Sequence, residues 1–384
     1  MKRIGAGILL LALLAGLLPL RAGAVELDVA GKSAVLMDAA TGTVIYEKNA
    51  HERLRPASVT KVMTMLLIME AIDSGRIGWE DRVTASETAA AKGGSQVYLK
   101  VGEQMTVSDM VKSIAVSSAN DCACAMAEHI AGSESAFVER MNARAKELGM
   151  ADTTFVNCTG LDDGAEAENH KTSAYDIAVM SRQLLKNHPD IKKYTTIWMD
   201  SIRDGTFGLS NTNKMVRFYT GCTGLKTGFT SAAGYCLSAS AQRDGMELIA
   251  VVMGCETSKE RTAACKSKLD YGFANFALIT PGLQEDARIP VTLGTAGCVR
   301  AEPQGLEGLL IDKARKESVT TRVTLEPSVT APVSRGQRLG TMTIKAGDTV
   351  LAEVPLVAAE GVTRKTWGDL FVLVLRKVAM AAGE

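Results

Sequence analysis

The chain has 384 residues with 43 basic and 43 acidic side chains, so its formal net charge at pH 7 is zero. At roughly 100–200 residues per domain, this length predicts two or three domains with well-formed hydrophobic cores. Apolar residues make up 46% and charged residues 22%, which excludes a disordered protein, and the balanced charge with only 5% aromatic residues argues against a nucleic-acid-binding protein.

The first 24 residues have the pattern of a secretory signal peptide. Lys2 and Arg3 precede an apolar run over 8–20, and the sequence Ala-Gly-Ala at 22–24 is typical of a cleavage site. An uncleaved membrane helix is the alternative, but the run is short for a span of about 20 residues and is interrupted near its end by proline and arginine. Export would place the substrate outside the cytoplasm.

Eight cysteines could form four disulfides in an exported chain or remain free thiols. They are Cys122, Cys124, Cys158, Cys222, Cys236, Cys255, Cys265 and Cys298. A chain of this size does not depend on disulfides, and cysteine is common as a small core residue, so the sequence favours buried free thiols. The spacing of the cysteines and of the four histidines matches no zinc motif, and we expect neither a metal nor a cofactor.

Residues 33–276 mix strand and helix patterns, which predicts an α+β domain. A Thr-Gly-Thr turn between two alternating apolar runs predicts a hairpin over 33–49. Apolar residues at helical spacing predict several helices, and two apolar runs around a glycine turn predict neighbouring strands. The predicted helices cover 58–75, 107–131, 134–148, 173–184 and 259–276, and the predicted strands cover 235–241 and 248–253.

The chain changes character after a Thr-Pro-Gly break at 280–282. Strand-forming runs separated by turn residues predict a small β-sandwich over 282–361. The last segment, 362–384, predicts an amphipathic helix with basic residues on both sides of an apolar run from Phe371 to Leu375. Five consecutive apolar residues favour docking on a membrane surface, and docking on the protein itself is the alternative.

The strongest chemical signal is a serine and a lysine three residues apart at a predicted helix start. Ser58 and Lys61 would lie on one face of that helix, one turn apart. A serine hydroxyl needs a nearby base to act as a nucleophile, and lysine can be that base when burial or a second cation lowers its pKa toward neutrality. Alone the pattern is weak, because serine before an apolar helix is often only an N-cap.

Two further short motifs follow along the chain. Residues 118–120 read Ser-Ala-Asn, an S-x-N motif, and residues 226–228 read Lys-Thr-Gly, just before the predicted strand at 235. Each alone is consistent with an ordinary turn. Together with Ser58 and Lys61, they complete the set S-x-x-K, S-x-N and K-T-G that occurs in β-lactamases and penicillin-binding proteins.

Within that group, the sequence resembles most closely the low-molecular-mass penicillin-binding proteins, the serine-type D-alanyl-D-alanine carboxypeptidases. The strings that carry the resemblance lie at 56–64, 118–121, 224–230 and 233–235. The resemblance implies a penicillin-recognising α+β fold for 25–281, with mixed helices on an antiparallel sheet. The β-rich 282–361 and the helix at 362–384 resemble the C-terminal domain and membrane anchor of the family.

The resemblance also implies the catalytic roles. Ser58 would attack the carbonyl of the penultimate D-Ala to form an acyl-enzyme, Lys61 would take its proton, and Ser118 would pass a proton to the leaving amine. Asn120 would hold Lys61 and the substrate amide. The backbone N–H groups of Ser58 and Phe229 would form the oxyanion hole.

The resemblance implies that five residues, Gly228 among them, bind the terminal carboxylate of the substrate or line its site. Lys226 and Thr227 of the K-T-G motif, which ends at Gly228, would bind the carboxylate. Arg261 matches a family arginine near it, although a solvated helix arginine is the alternative. Phe229 stands where the family often has histidine, which could alter substrate preference or pH profile. His170, in another family-like string, would be structural.

The implied activity is removal of the terminal D-Ala from peptidoglycan pentapeptides, which trims the cell wall and limits cross-linking. The partners would be stem peptides ending in D-Ala-D-Ala, β-lactams as acylating inhibitors, and the membrane surface, with the enzyme on the outer face of the cytoplasmic membrane. A β-lactamase is one alternative, but Glu166 and Glu168 lack the sequence pattern of its deacylating glutamate. A catalytically inactive cell-wall scaffold is another, but every motif residue is present.

Overall fold

The structure, a computed structural model, describes residues 30–280, 282–283 and 287–381. The signal peptide predicted over 1–24 lies outside the described residues. Within the described ranges, no helix combines the length and apolar character needed to cross a membrane.

A five-stranded antiparallel sheet forms the base of the first domain, with the strand order β2-β1-β9-β8-β7. The predicted hairpin and the predicted pair of neighbouring strands are both present in it. Alternate residues of its middle strand pack into two apolar clusters, so the sheet is buried on both faces. The strands are β1 (Ser33–Asp38), β2 (Val44–Lys48), β7 (Cys222–Thr230), β8 (Gly234–Arg243) and β9 (Met246–Cys255).

Among the described residues of the first domain, nine helices pack on or around this sheet. The first, α1, is its central helix, because ten of its 13 residues are buried. The last, α9, covers the opposite face and begins with a capping box formed by Thr257 and Glu260. The helices are α1 (Lys61–Asp73), α2 (Glu87–Ala90), α3 (Val107–Ser117), α4 (Asn120–Ala131), α5 (Glu134–Glu147), α6 (Ala174–Asn187), α7 (Lys192–Thr195), α8 (Met215–Phe218) and α9 (Ser258–Asn275).

The helix predicted over 107–131 is two helices, because the chain breaks at Ser118. Ser118 has a φ of +64°, a left-handed conformation that ends α3, and Asn120 then begins α4. Left-handed backbone is unusual for serine. The apolar spacing continues on both sides of the break, so periodicity alone predicted one helix. The break puts the two polar residues of the S-x-N motif at the junction of two helices.

Short strands and 3₁₀ turns connect these elements at the surface. Two small antiparallel pairs form between β3 and β4 and between β5 and β6. These strands are β3 (Arg82–Thr84), β4 (Gln104–Thr106), β5 (Met199–Ile202) and β6 (Phe207–Ser210), and the 3₁₀ turns are Ala57–Thr60, Ala165–Asn169, Pro189–Ile191 and, in the second domain, Lys313–Ser318.

The second domain is all β, as predicted, with the strand order β14-β16-β17-β12-β11-β15 around its own apolar cluster. Its division into two stacked sheets stays a prediction. A separate pair joins β10, directly after α9, to β13, so the two domains share a small sheet. The strands are β10 (Phe276–Ile279), β11 (Arg288–Thr292), β12 (Cys298–Pro303), β13 (Leu309–Asp312), β14 (Val319–Leu325), β15 (Val329–Thr330), β16 (Arg338–Ala346) and β17 (Thr349–Ala358).

A terminal helix, α10 (Trp367–Ala381), follows the second domain. Its side chains at Trp367, Phe371, Val374 and Leu375 are all more than half exposed, and Trp367 reaches 84%. The described part of the chain therefore does not cover this apolar face, which is evidence against docking of the helix on the protein itself.

Candidate active site

The structure brings Ser58 and Lys61 into direct contact at the start of α1. The Nζ atom of Lys61 lies 3.0 Å from the Oγ atom of Ser58 and 2.8 Å from the carbonyl oxygen of Thr159. The Lys61 side chain is fully buried, and this burial lowers its pKa from 10.5 to about 7. A lysine amine in this state can accept a proton near neutral pH.

The turn that presents Ser58 is held by a close backbone contact. Ala57 has a φ of +48°, and its carbonyl oxygen faces Gly160, which itself has a φ of +81°. A Cβ atom at Gly160 would lie 1.8 Å from that oxygen, so only glycine fits there. This contact joins the segment that carries the Thr159 carbonyl to the turn that carries Ser58.

His170 supports the same turn and stays neutral. Its Nδ1 atom accepts a hydrogen bond from the Val156 amide, so the proton is on Nε2, which donates to the hydroxyl of Thr60 at 2.8 Å. Thr60 in turn donates to the carbonyl oxygen of Ala57. Burial, with a smaller effect from the charge of Lys61, lowers the pKa of His170 from 6.5 to about 4. The position fits the structural role that the resemblance implies.

The two polar residues of the S-x-N motif are buried where α3 meets α4. Ser118 is 4% exposed and Asn120 is 2% exposed. The Nδ2 atom of Asn120 donates to the carbonyl oxygen of Gly93 at 2.7 Å, while its Oδ1 atom is buried without a hydrogen-bond partner in the described part of the chain. A buried acceptor left unpaired costs about 1–3 kcal/mol, so this oxygen is suited to receive an N–H from a ligand.

Asp121 organises the loop beside this motif. Its carboxylate accepts hydrogen bonds from the backbone amides of Val97 and Leu99 at 3.1 and 3.0 Å. The backbone amide of Asn120 also donates to the carbonyl oxygen of Ser95. The loop after α2 is therefore fixed against the residues of the candidate site.

The K-T-G motif lies in β7, at the edge of the large sheet, rather than in a turn. A Cβ atom at Gly228 would lie 2.6 Å from the carbonyl oxygen of Pro56 and 3.1 Å from the amide nitrogen of Ser58. Glycine at this position therefore allows the strand backbone to pack directly on the turn that holds the serine. This packing is what brings two distant motifs together.

Lys226 is buried next to Lys61. Burial, the charge of Lys61 and the charge of Arg261 together lower the pKa of Lys226 well below 10.5. Its Nζ atom donates to the carbonyl oxygen of Thr227 at 3.1 Å. Thr227 is 7% exposed, and its hydroxyl donates to the hydroxyl of Thr212 at 2.7 Å.

Arg261 lies behind the K-T-G strand and is 8% exposed, so it is not the solvated helix arginine of the alternative interpretation. One of its guanidinium nitrogens, Nη1, lies 3.4 Å from the carbonyl oxygens of Gly228 and Cys236. Its Nε atom is buried without a hydrogen-bond partner among the described residues. The ring of Phe229, 53% exposed, packs against Tyr235 with the ring centroids 4.3 Å apart.

The sequence did not predict the groups that fix the Thr159 carbonyl, which accepts the hydrogen bond from Lys61. Lys92 and Glu134 form an ion pair at 2.5 Å, and Glu134 accepts hydrogen bonds from the amide and thiol of Cys158. This fixes the segment whose next carbonyl, at Thr159, accepts from Lys61. The sequence gives no sign of this group, because a backbone carbonyl acts without any side-chain signal.

The remaining predictions about reactive groups concern glutamates, cysteines and metals. Glu166 and Glu168 are both exposed, and Glu168 pairs loosely with Arg55 at 3.9 Å. The eight cysteines, all within the described residues, carry free thiols, and six of them are buried. In the part of the chain that the structure describes, no group of three or more histidine, cysteine or acidic side chains is arranged to hold a metal ion.

Comparisons with known sequences find similar proteins along most of the chain. Residues 21–257 match the peptidase S11 model, D-alanyl-D-alanine carboxypeptidase, and residues 308–364 match the C-terminal domain of penicillin-binding protein 5. The D-alanyl-D-alanine carboxypeptidase DacF of Bacillus subtilis is 45% identical over 87% of this chain and 86% of its own length. DacC of Escherichia coli is 33% identical over 87% of this chain and 85% of its own length.

Solved structures are similar as well. Penicillin-binding protein 5 from Haemophilus influenzae has a TM-score of 0.74 and 31% identity, covering 88% of this chain and 98% of that one. Penicillin-binding protein D2 from Listeria monocytogenes, in an ampicillin-bound form, has a TM-score of 0.59 and 29% identity, covering 65% of this chain and 99% of that one.

Proposed function

The chain belongs to the peptidase S11 family of D-alanyl-D-alanine carboxypeptidases, and from that premise we propose how its residues remove the terminal D-Ala of peptidoglycan stem peptides. The enzyme is a serine hydrolase and a penicillin-binding protein that acts on the cell wall, outside the cytoplasm. The single observation that carries the mechanism is the 3.0 Å contact between a buried, readily deprotonated Lys61 and the hydroxyl of Ser58.

In the first step, Lys61 removes the proton of the Ser58 hydroxyl as its oxygen attacks the carbonyl carbon of the penultimate D-Ala. The carbonyl oxygen becomes an oxyanion, for which the backbone N–H groups of Ser58 and Phe229 are the proposed donors. The close packing of Gly228 on the Ser58 amide supports this pairing, because it holds the two backbone segments together before substrate arrives.

Collapse of this intermediate breaks the peptide bond to the terminal D-Ala and leaves an ester on Ser58. The leaving amine takes a proton, which we assign to delivery by Ser118 from the protonated Lys61. Water then attacks the ester with loss of a proton to the same groups, which releases the shortened peptide and restores the Ser58 hydroxyl. The unpaired Oδ1 atom of Asn120 supports its role as acceptor for the substrate amide.

The terminal carboxylate of the substrate is assigned to Lys226 and Thr227, with Arg261 adding positive charge from behind the strand. In the free enzyme, burial and neighbouring cations lower the pKa of Lys226. A bound carboxylate favours the protonated form, so substrate binding restores the charge that recognition of D-Ala-D-Ala needs.

We also propose how the enzyme is held at the membrane surface. The exposed apolar face of α10, next to Arg364 and Lys365, suits insertion into the surface of a membrane, and it would hold the enzyme at the outer face of the cytoplasmic membrane. The catalytic domain would then face the cell wall.

The direct test uses mass spectrometry of a peptidoglycan pentapeptide incubated with the full chain. We expect loss of one alanine, and a long-lived covalent adduct on Ser58 with penicillin. The Ser58→Ala variant should show neither reaction while it keeps its thermal unfolding temperature. D-Ala release or a penicillin adduct in that variant would remove Ser58 from the role of nucleophile. Rapid turnover of penicillin by the wild type would favour a β-lactamase instead.

A further inference from the structure

The catalytic domain exposes few large hydrophobic side chains, and they lie on segments that adjoin the candidate site. Among its described residues they are Tyr98, Val101, Met199, Phe218 and Phe229. Phe229 follows the K-T-G motif directly. The other four lie on two segments, the loop after α2 and the stretch from β5 to α8. Exposed apolar side chains on segments that adjoin a candidate site indicate a surface of interaction.

The first segment holds Tyr98 in a strained conformation. Its φ is +58°, rare for a bulky residue, and such strain costs on the order of 1–3 kcal/mol and is typical of functional sites. The amides on either side of it, at Val97 and Leu99, are bound by Asp121, the neighbour of Asn120. The Tyr98 side chain is nevertheless 69% exposed. The fold thus fixes the backbone firmly and directs an aromatic ring into solvent beside the S-x-N motif.

A second element, the β5–β6 hairpin, faces this ring. Phe207 lies 6.5 Å from the ring of Tyr98, and the guanidinium of Arg203 stacks 5.2 Å from the centroid of Phe207. Arg203 also donates to the carbonyl oxygen of Val97 and pairs with Glu103. Together these groups line an open groove of about 610 Å³.

A second aromatic pair with an arginine beside it lies at the other end of the same hairpin. Trp198 and Phe218 lie 6.1 Å apart, and the guanidinium of Arg217 lies 5.7 and 5.6 Å from their centroids. Phe218 is 70% exposed. The segment that follows β6 contains Thr212, the hydrogen-bond partner of Thr227. Each aromatic pair is therefore tied to a different motif of the candidate site, and the pairs lie roughly 13 Å apart along the strand.

We propose that these four aromatic residues, the aromatic rim, bind sugar rings of the peptidoglycan glycan strand. The inference rests on the proposed function, because the stem peptide that enters the site is attached to the glycan strand. That glycan strand must pass over the edge of the site. The aromatic rim consists of Tyr98, Phe207, Trp198 and Phe218.

The chemistry of the rim fits sugars better than a protein partner. A sugar ring has an apolar C–H face that stacks on an aromatic ring and polar edges that hydrogen-bond, and each aromatic pair here carries a stacked arginine with free donor capacity. The two aromatic pairs lie at opposite ends of the β5–β6 hairpin and form two separate ring-sized sites, whereas a protein interface has one continuous apolar centre.

The test compares one pentapeptide in two forms, free and attached to its disaccharide. The double variant Tyr98→Ala, Phe218→Ala removes one ring from each pair without touching the catalytic residues. We expect its kcat/KM on the sugar-bearing substrate to fall about tenfold, a loss of about 1.4 kcal/mol. On the free peptide we expect a change within about twofold, because that substrate carries no sugar for the aromatic rim to contact. Val350→Ala, at an exposed residue of the second domain, is the matched control.

A second measurement does not depend on catalysis. In a Ser58→Ala background, the full chain should sediment with purified cell-wall sacculi, and the double variant should sediment less. An unchanged ratio of kcat/KM between the two substrates, or an equal loss on both, would overturn the assignment to sugars. Failure of the wild type to release D-Ala from either substrate would instead overturn the proposed function, and sedimentation would still report on the rim.

Discussion

The amine of Lys61 and the hydroxyl of Ser58 are 3.0 Å apart, and the amine is held on its other side by the Thr159 carbonyl at 2.8 Å. The lysine is thus positioned by two acceptors, and no carboxylate of the described residues is bonded to it. Because its pKa falls to about 7 through burial, a large fraction is neutral at physiological pH. The protonation state of Lys61, and with it the hydrogen bond to Ser58, therefore depends on pH.

We expect the rate of acylation by a fluorescent penicillin to follow the fraction of neutral Lys61. Protonation removes the base, so the rate should fall as pH decreases below about 7, by about tenfold per pH unit. Stopped-flow measurements between pH 5 and 9 would show this, and Lys61→Ala should lower the rate by roughly 10²–10⁴-fold. A flat profile through pH 7 would remove Lys61 from the role of base.

Lys268 provides a matched control for that experiment. It is also fully buried, in α9, and burial lowers its pKa from 10.5 to about 8. Its amine donates to the carbonyl oxygen of Ala264 in its own helix. Lys268→Met should leave both the acylation rate and its pH profile unchanged, because the Lys268 amine hydrogen-bonds within its own helix and not to Ser58.

Replacing Gly160 by alanine should damage both stability and acylation. The added Cβ would lie 1.8 Å from the Ala57 carbonyl oxygen, so the turn before Ser58 would have to move. Gly164→Ala is the matched control, because Gly164 has a similar φ of +88° but no atom near its Cβ position. We expect a loss of about 1 kcal/mol in the control and at least twice that in Gly160→Ala. Thermal unfolding and penicillin labelling measure both effects, and equal losses would contradict the contact argument.

His170 should make the protein less stable in acid. Its pKa is about 4 in the folded protein and 6.5 in the unfolded chain, so between these values only the unfolded chain binds the proton. Stability should therefore fall as pH decreases below 6.5, by a total of about 3 kcal/mol at pH 4. Urea unfolding at pH 7 and pH 4.5 should show a smaller difference in His170→Gln than in wild type. His129→Gln, at an exposed histidine, should keep the wild-type difference.

The sequence predicted those parts of the site that depend on local spacing, and missed those that depend on tertiary contact. Ser58 and Lys61 are one helical turn apart, and their spacing together with the two later motifs identified the pair. The break at Ser118 was not visible, because apolar periodicity continues through it. The Thr159 carbonyl and the Asp121 carboxylate both contact residues that are far away in the sequence. The first is a backbone group in a loop, and the second binds backbone amides. No residue type or spacing in the sequence predicts such contacts.

The last prediction concerns α10 and the membrane. Inserting Trp367 and Phe371 into a lipid surface would bury side chains worth roughly 1.5–3 kcal/mol each, and each nearby lysine or arginine adds about 1 kcal/mol on an anionic surface. We expect the full chain to sediment with vesicles that contain anionic lipid, and both the Trp367→Ser, Phe371→Ser variant and a chain ending at 366, which keeps the buried Val362 of the second domain, to stay in solution with normal D-Ala release. Val323→Ser, at an exposed residue of β14, should still bind. Binding by the truncated chain would assign membrane contact to another surface, and loss of D-Ala release on truncation would show that the helix serves the active site instead.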